Sequence, residues 1–492
     1  MALAPDRGPV PQEGSDGREP ARSAAPGLGS SLRVPGLVRL DRWVSRTPRR
    51  RFWITVVAVG LAVRLLLAPW TGGGDLATYA ESATSLGLGG GPYTYLLVYP
   101  PGFVDLLGLA ARVAGGFLGS PVLVGANPGL LRFYATSSLQ WTGSLATPTF
   151  ALVEKLPLFL LDLGAAGLAY LLVRECADER RARWALVALF WNPLAVFLTA
   201  VPGEFDILPV FLVLAAVYLA MHGRGLSSGA ALGLGTAIKL FPLFFLPLIL
   251  AILWRRSGPR PALRALPVAT ALVGASAVLA WIFLPLSTAQ TYLASFTTGP
   301  TVGQNHGGFG IWSWVQLPHL TPIHWWLFWN TAPITAGMDA VAVALALAVA
   351  VVYLSRRPRE GVDPLRTFGA ATLTALAPLL TQNVVEPQYL LWVLPWIAIT
   401  AAVTVHYRWA LLTVTLAGLG FLLFGLGGPL YWLEPVVVFT PYLSWAAFTQ
   451  NLTTWAPIAA LVAPICSVVG AAALAYVGIR AVRGLTWAGG PS

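Results

Sequence analysis

Apolar runs of about twenty residues recur along this chain, separated by short polar breaks, and that recurrence restricts the fold more than any other feature. A run of this length crosses a bilayer as a helix, whereas the strands of a transmembrane barrel alternate apolar with polar residues. Of 492 residues, 56% are hydrophobic and only 10% charged, against about 25% charged in an average soluble domain. The sequence therefore predicts an all-α integral membrane protein and excludes a soluble fold.

The breaks carry the charge. The net charge of +11 comes from 29 Arg and 2 Lys set against 20 acids. The basic clusters are Arg174 with Arg180, Arg181 and Arg183; Arg224; Arg255, Arg256, Arg260 and Arg264; Arg356, Arg357, Arg359 and Arg366; Arg408; and Arg480 with Arg483. The complementary breaks are nearly free of Lys and Arg, so these clusters mark cytoplasmic turns. Spans are then expected from near residues 52, 152, 184, 206, 226, 242, 264, 334, 367, 388, 409 and 455, about twelve, with both termini cytoplasmic in a multi-pass protein of the cell membrane. A nucleic-acid surface needs a soluble basic domain, and no stretch can form one. Cys176 and Cys466 are poorly placed for a disulfide and receive no role.

Residues 1–51, rich in Pro, Gly, Ser and Arg, read as a disordered cytoplasmic tail, residues 52–484 as the transmembrane domain, and residues 485–492 as a cytoplasmic C-terminal tail. The first helix, roughly Phe52 to Trp70, follows Arg49, Arg50 and Arg51 and is expected to stay as an anchor. Three long extracytoplasmic loops are expected, near residues 71–150, 287–330 and 427–454. Loops of that length are usually functional. The apolar part of the first, Tyr99 to Leu118, is interrupted by Asp105 and Arg112 and reads as an interfacial or re-entrant helix.

Polar residues that could carry chemistry gather at the outer ends. Asp75, in Gly72-Gly73-Gly74-Asp75, follows the first helix; it is placed either as a general base or as a helix N-cap. Glu204 and Asp206, in Val-Pro-Gly-Glu-Phe-Asp, occupy a tight outer turn, where turn chemistry and capping compete with a site role. Lys239 lies in Ala-Ile-Lys-Leu-Phe-Pro, at a depth where a charge costs roughly 2.5–3.5 kcal/mol. That cost is offset by an anionic ligand, by a pair with Glu204, Asp206 or Glu386, or by snorkelling to the interface. Arg64, inside the first helix, has the same three readings. His306, in Gln-Asn-His-Gly-Gly-Phe, can face a phosphate or simply be solvated, and His319 and His324 compete for the role. Gln388 and Tyr389, in the polar run Thr381 to Trp392, suit a hydroxyl-rich ligand or the ordinary interfacial belt. No His, Cys and Asp cluster has metal-ligand spacing, so neither a metal nor another cofactor is indicated.

Taken in order, the aspartate after the first helix, Gly-Glu-Phe-Asp, Ala-Ile-Lys-Leu-Phe-Pro and Gln-Tyr-Leu-Leu-Trp resemble the GT-C glycosyltransferases over roughly residues 50–400. Within them the chain looks most like the polyprenol-phosphate-mannose-dependent mannosyltransferases, including bacterial α-mannosyltransferases and the catalytic subunit of glycosylphosphatidylinositol mannosyltransferase I. The resemblance implies inverting transfer of a sugar from a polyprenyl-phosphate donor to a hydroxyl of a lipid, glycan or protein acceptor outside the membrane. It implies Asp75 as base, Lys239, His306 and Arg64 toward the donor phosphate, and Tyr79, Glu204, Asp206, Gln388 and Tyr389 toward the substrates. Leu76 and Ala77 stand where the family often has a second acid. The rival reading is a secondary carrier or flippase, which would show paired halves and midplane acids, neither of which the sequence displays. A third class, a non-catalytic lipid-binding subunit, would tolerate Asp75→Asn.

Overall fold

The computed structural model describes residues 35–72, 145–283, 332–355, 362–381, 387–404, 406–425 and 445–486, with a few residues between 76 and 124. The chain divides into two units, Met1–Arg46 and Thr47–Ser492. The first contributes one helix, α1 (Pro35–Arg46), where the sequence predicts only a disordered tail. Pro35 suits the first helical position, and Leu37, Leu40 and Val44 recur at helical spacing. Pro48 then precedes α2 (Arg49–Leu67).

In the second unit helices begin close to the positions where spans are expected, save the last, which begins at Trp445, ten residues before the expected start near 455. After α2 come α3 (Pro148–Arg174), α4 (Glu179–Phe190), α5 (Pro193–Ala200), α6 (Ile207–Met221), α7 (Gly225–Ile238), α8 (Leu246–Ser257) and α9 (Pro259–Phe283). They are followed by α10 (Ala332–Ser355), α11 (Pro364–Thr381), α12 (Leu390–Val403), α13 (His406–Gly420) and α14 (Trp445–Thr486). Among the described residues, Pro148–Arg174, His406–Phe424 and Pro457–Leu485 are long and apolar enough to cross a membrane. The bent pair α4 and α5 adds a fourth if it is one span. Ile207–Met221, Gly225–Ile238, Asp339–Ser355 and Leu390–Val403 are shorter apolar helices. A two-residue antiparallel ladder, Leu123–Val124 with Leu145–Ala146, departs from the all-α expectation.

Each helix end has a local cause. Thr147 caps α3 by accepting from the Phe150 N–H at 3.2 Å, with Pro148 in the first turn. Asp178 caps α4 by accepting from the Arg181 N–H at 2.9 Å. The expected span from residue 184 is bent by 42° instead of straight. The bend falls at Trp191-Asn192-Pro193, where proline cannot continue α4 and the Asn192 side chain accepts from the Leu194 N–H at 3.0 Å. Buried Phe52, Val56, Gly60 and Arg64 recur every fourth residue of α2, so one stripe faces the protein and Ile54 and Leu66 face outward. Helices α7 and α9 meet along Gly225, Gly229 and Gly233, where an added Cβ would fall 2.2, 2.3 and 2.7 Å from the carbonyl oxygens of Pro261, Ala265 and Ala269. Small residues at that spacing let backbones approach as membrane helices do.

Candidate active site

Three chain turns bring a lysine, an aspartate and four aromatic rings together. Lys239 ends α7 in extended backbone just before Pro242, and its ammonium donates to both Asp206 carboxylate oxygens at 2.8 Å. Asp206 also accepts from the Trp392 indole N–H at 2.6 Å and is fully buried. It stands at the N-cap position of α6 without making a side-chain cap bond, so the capping reading of this residue fails. Around the ammonium stand Tyr389 at 4.6 Å, Phe205 at 5.1 Å and Trp392 at 5.5 Å to the ring centroids. Trp392 stacks between Tyr389 at 4.3 Å and Phe241 at 4.5 Å. Tyr79 meets Phe205 edge-on at 6.2 Å, and Gln388 and Glu204 are buried. Of the three readings of Lys239, the structure gives an internal pair. The side chain keeps 13% exposure, and two of its three N–H groups are directed at Asp206.

A second cluster underlies the same turn. Lys155, fully buried on α3, donates to the carbonyls of Ala68 at 3.1 Å, Thr71 at 2.5 Å and Val201 at 2.7 Å. Ala68 is the C-cap of α2 and Val201 that of α5. One ammonium thus gathers the carbonyl ends of two helices, where unpaired acceptors and the negative end of the dipole both favour a cation. The Thr71 hydroxyl reinforces the junction through the Leu67 carbonyl at 2.8 Å and the Ala200 carbonyl at 3.2 Å. Glu154 is the neighbour of this lysine, and its Oε2 lies against Gly203, whose φ of +79° only glycine adopts readily. The chain has two lysines, and the sequence reading passed over this one although the same signal, a charge inside an apolar run, marks both.

Arg64 is paired deeper along α2. Its guanidinium bonds the Asp162 carboxylate, the Phe190 carbonyl at 2.9 Å and the Gly60 carbonyl at 3.0 Å, and lies 4.4 Å over the Phe190 ring. Asp162 also accepts from the Thr199 hydroxyl at 3.4 Å. Gly60 is required here, since a Cβ would meet Phe190 at 2.2 Å. Arg64 thus has its charge answered inside the protein, and it shares no partner with the Lys239 cage.

The structure therefore brings together Asp206, Lys239, Tyr389 and, through Phe205, Tyr79, with Arg64 bonded elsewhere. Asp75, His306 and Glu386 lie outside the described residues. Among the described residues no three of His, Cys, Asp and Glu gather closely enough to hold a metal ion.

Comparison with known proteins adds an identity to this geometry. The family described as Glycosyltransferase family 87 matches residues 98–382, more than half of the chain and inclusive of Lys155, Asp162, Asp206 and Lys239. No curated protein matches. Among solved structures the chain is similar to an archaeal oligosaccharyltransferase, AglB from Archaeoglobus fulgidus, determined with an inhibitory peptide and a dolichol-phosphate. The identity is 13% and the TM-score 0.37, over 91% of this chain and 57% of that one. The chain thus spans a little over half the length of that structure.

Proposed function

The chain belongs to glycosyltransferase family 87, and from that premise we propose that it transfers a mannosyl residue, with inversion, from a polyprenyl-phosphate donor to an acceptor hydroxyl. We place the reaction at the extracytoplasmic face of a GT-C-type protein whose twelve apolar segments all cross the membrane. Family membership removes the carrier alternative. The observation that carries the reading is the Lys239 cage, a membrane-depth cation held by Asp206 among aromatic rings with one N–H uncommitted among the described residues. Aromatic walls and a carboxylate suit a sugar, and the remaining N–H suits a phosphate oxygen. Mannose rests on the sequence resemblance.

In this scheme the acceptor oxygen attacks the anomeric carbon as the bond to the phosphate oxygen breaks. The hydroxyl proton passes to the Asp75 carboxylate, and polyprenyl phosphate departs carrying the bonding pair. Phosphate is already a good leaving group, so cations need only stabilise its growing charge. Lys239 and His306 take that role, and Arg64, bound to Asp162, acts as an internal counter-ion. Lys155 fixes residues 68–71, which precede Asp75 by a few residues in the sequence.

The test is transfer of radiolabelled mannose from synthetic polyprenyl-phosphate-mannose by membranes holding equal amounts of wild type or Asp75→Asn. Wild type is expected to transfer, and the variant to lose about 10²- to 10⁴-fold, the usual contribution of a general base. Equal rates would remove Asp75 as the base. Absence of transfer by wild type would remove the donor assignment.

A further inference from the structure

Glu154 and Lys155 are adjacent in an apolar stretch of α3, yet only the lysine has its bonds complete. An ammonium has three donors, and those of Lys155 meet the carbonyls of Ala68, Thr71 and Val201. Glu154 is 7% exposed, and its Oε2 is buried without a hydrogen-bond partner among the described residues. A buried polar atom without a partner requires an explanation, and an ionisable side chain at membrane depth is by default a functional one. Gly203 packs closely against that oxygen: a Cβ at position 203 would come within 2.6 Å of it. Gly203 belongs to the turn that carries Asp206 into the Lys239 cage.

We propose that Glu154 Oε2 accepts a hydrogen bond from a hydroxyl of a bound sugar, an inference that rests on the transferase reading given above. Lys155 leaves the lone pairs of that oxygen open, because its own donors are spent on backbone. A buried carboxyl oxygen with open lone pairs is an acceptor for a hydroxyl. The sugar is that of the polyprenyl-phosphate donor or that of a glycan acceptor, and the two sources are separable.

The experiment uses the full chain in lipid nanodiscs and follows the ligand-induced rise in unfolding temperature with three probes: polyprenyl-phosphate-mannose, the same polyprenyl phosphate without sugar, and octyl α-mannoside. Glu154→Leu is expected to weaken one sugar-bearing probe about 10-fold or more and to leave the sugar-free phosphate unchanged. Glu154→Gln, which keeps shape and one acceptor, is expected to weaken the same probe about 3-fold, and it guards against a loss of fold in the leucine variant. Loss confined to the polyprenyl probe identifies the donor sugar, and loss confined to octyl α-mannoside identifies the acceptor. Unchanged binding of both sugar probes in both variants overturns the assignment while leaving the transferase reading in place. Equal weakening of the sugar-free phosphate overturns it too, because the effect is then not one of a sugar hydroxyl. Wild type that binds neither sugar probe removes the transferase reading and this inference together.

Discussion

The two ends of helix α3 carry charges of the same kinds in opposite settings. At its C-terminal end Arg174 lies 3.5 Å from Glu179, and these side chains are 46% and 36% exposed. Arg181 pairs with Asp178 at 3.7 Å and His222 with Glu175 at 3.4 Å, while Arg183, only 10% exposed, reaches Glu179 at 3.0 Å. Toward its N-terminal end, ~28 Å away at the rise of an α-helix, Glu154 and Lys155 are buried, as are Asp206 and the greater part of Lys239. Open pairs are screened by water and hold little energy, so their sign serves topology. Buried charges are costly unless answered, and at the N-terminal end Lys155, Asp206 and Lys239 each find partners within the protein. Both lysines of the chain belong to it, whereas the basic groups of the open end are arginines and His222. An ammonium with three rotatable donors fits three converging carbonyls, and a planar guanidinium does not.

The largest effect expected from breaking this contrast is at Asp206. Asp206→Ala leaves the Lys239 ammonium and the Trp392 indole N–H without their common acceptor, at a cost of about 3–5 kcal/mol. Yield and unfolding in detergent should both show it. The double variant Asp206→Leu with Lys239→Met exchanges the pair for apolar groups and should regain most of that stability without regaining transfer. If transfer returns as well, the pair is only structural. Next in size is Lys155→Arg. It keeps the charge but adds volume to a closed junction and misaligns the donors, for about 1–3 kcal/mol and a fall in transfer, measured in the same assays. A variant as stable and active as wild type would show that charge alone matters there.

Legibility in the sequence followed the same division. Hydropathy and arginine placement fixed where helices start, because both act locally along the chain. They missed α1, where the short apolar spacing from Leu37 to Val44 was outweighed by the flanking Pro, Gly and Ser. They also missed the bend at Asn192, a matter of one cap and one proline. Site pairings depend instead on the rotational phase of distant helices. Lys239 could be read as needing a partner, with Asp206 one of three acids on offer, but nothing local chose among them. The partner of Arg64, Asp162, is a lone acid in an apolar run 98 residues away, which marks it as paired without saying to what. Lys155 binds only backbone carbonyls, so no complementary side chain could have announced it.

At the open end the expected effects are small, and their smallness is the test. Arg174→Gln removes the exposed ion pair with Glu179 and should leave yield and transfer within about twofold of wild type. A loss comparable to that of Asp206→Ala would mean that exposure does not separate the two ends.

The smallest perturbation is a label on Cys176, which lies in the break between α3 and α4 and is half-buried. Burial, assisted by the negative charge of Asp363, pushes its thiol up to about 11. Because the thiolate is the reactive form, maleimide labelling near pH 7 should be slow and should rise about tenfold per pH unit up to roughly pH 10. An ordinary thiol would level off sooner, near pH 9. In a variant whose Cys466 is replaced by Ser, a membrane-impermeant maleimide applied to sealed vesicles of known orientation reads the side as well as the rate. Labelling from the cytoplasmic side alone places the arginine-rich end inside and, by the length of α3, the Lys239 cage toward the opposite face. Labelling from the other side alone would invert the topology, and with it the compartment in which the donor must be presented.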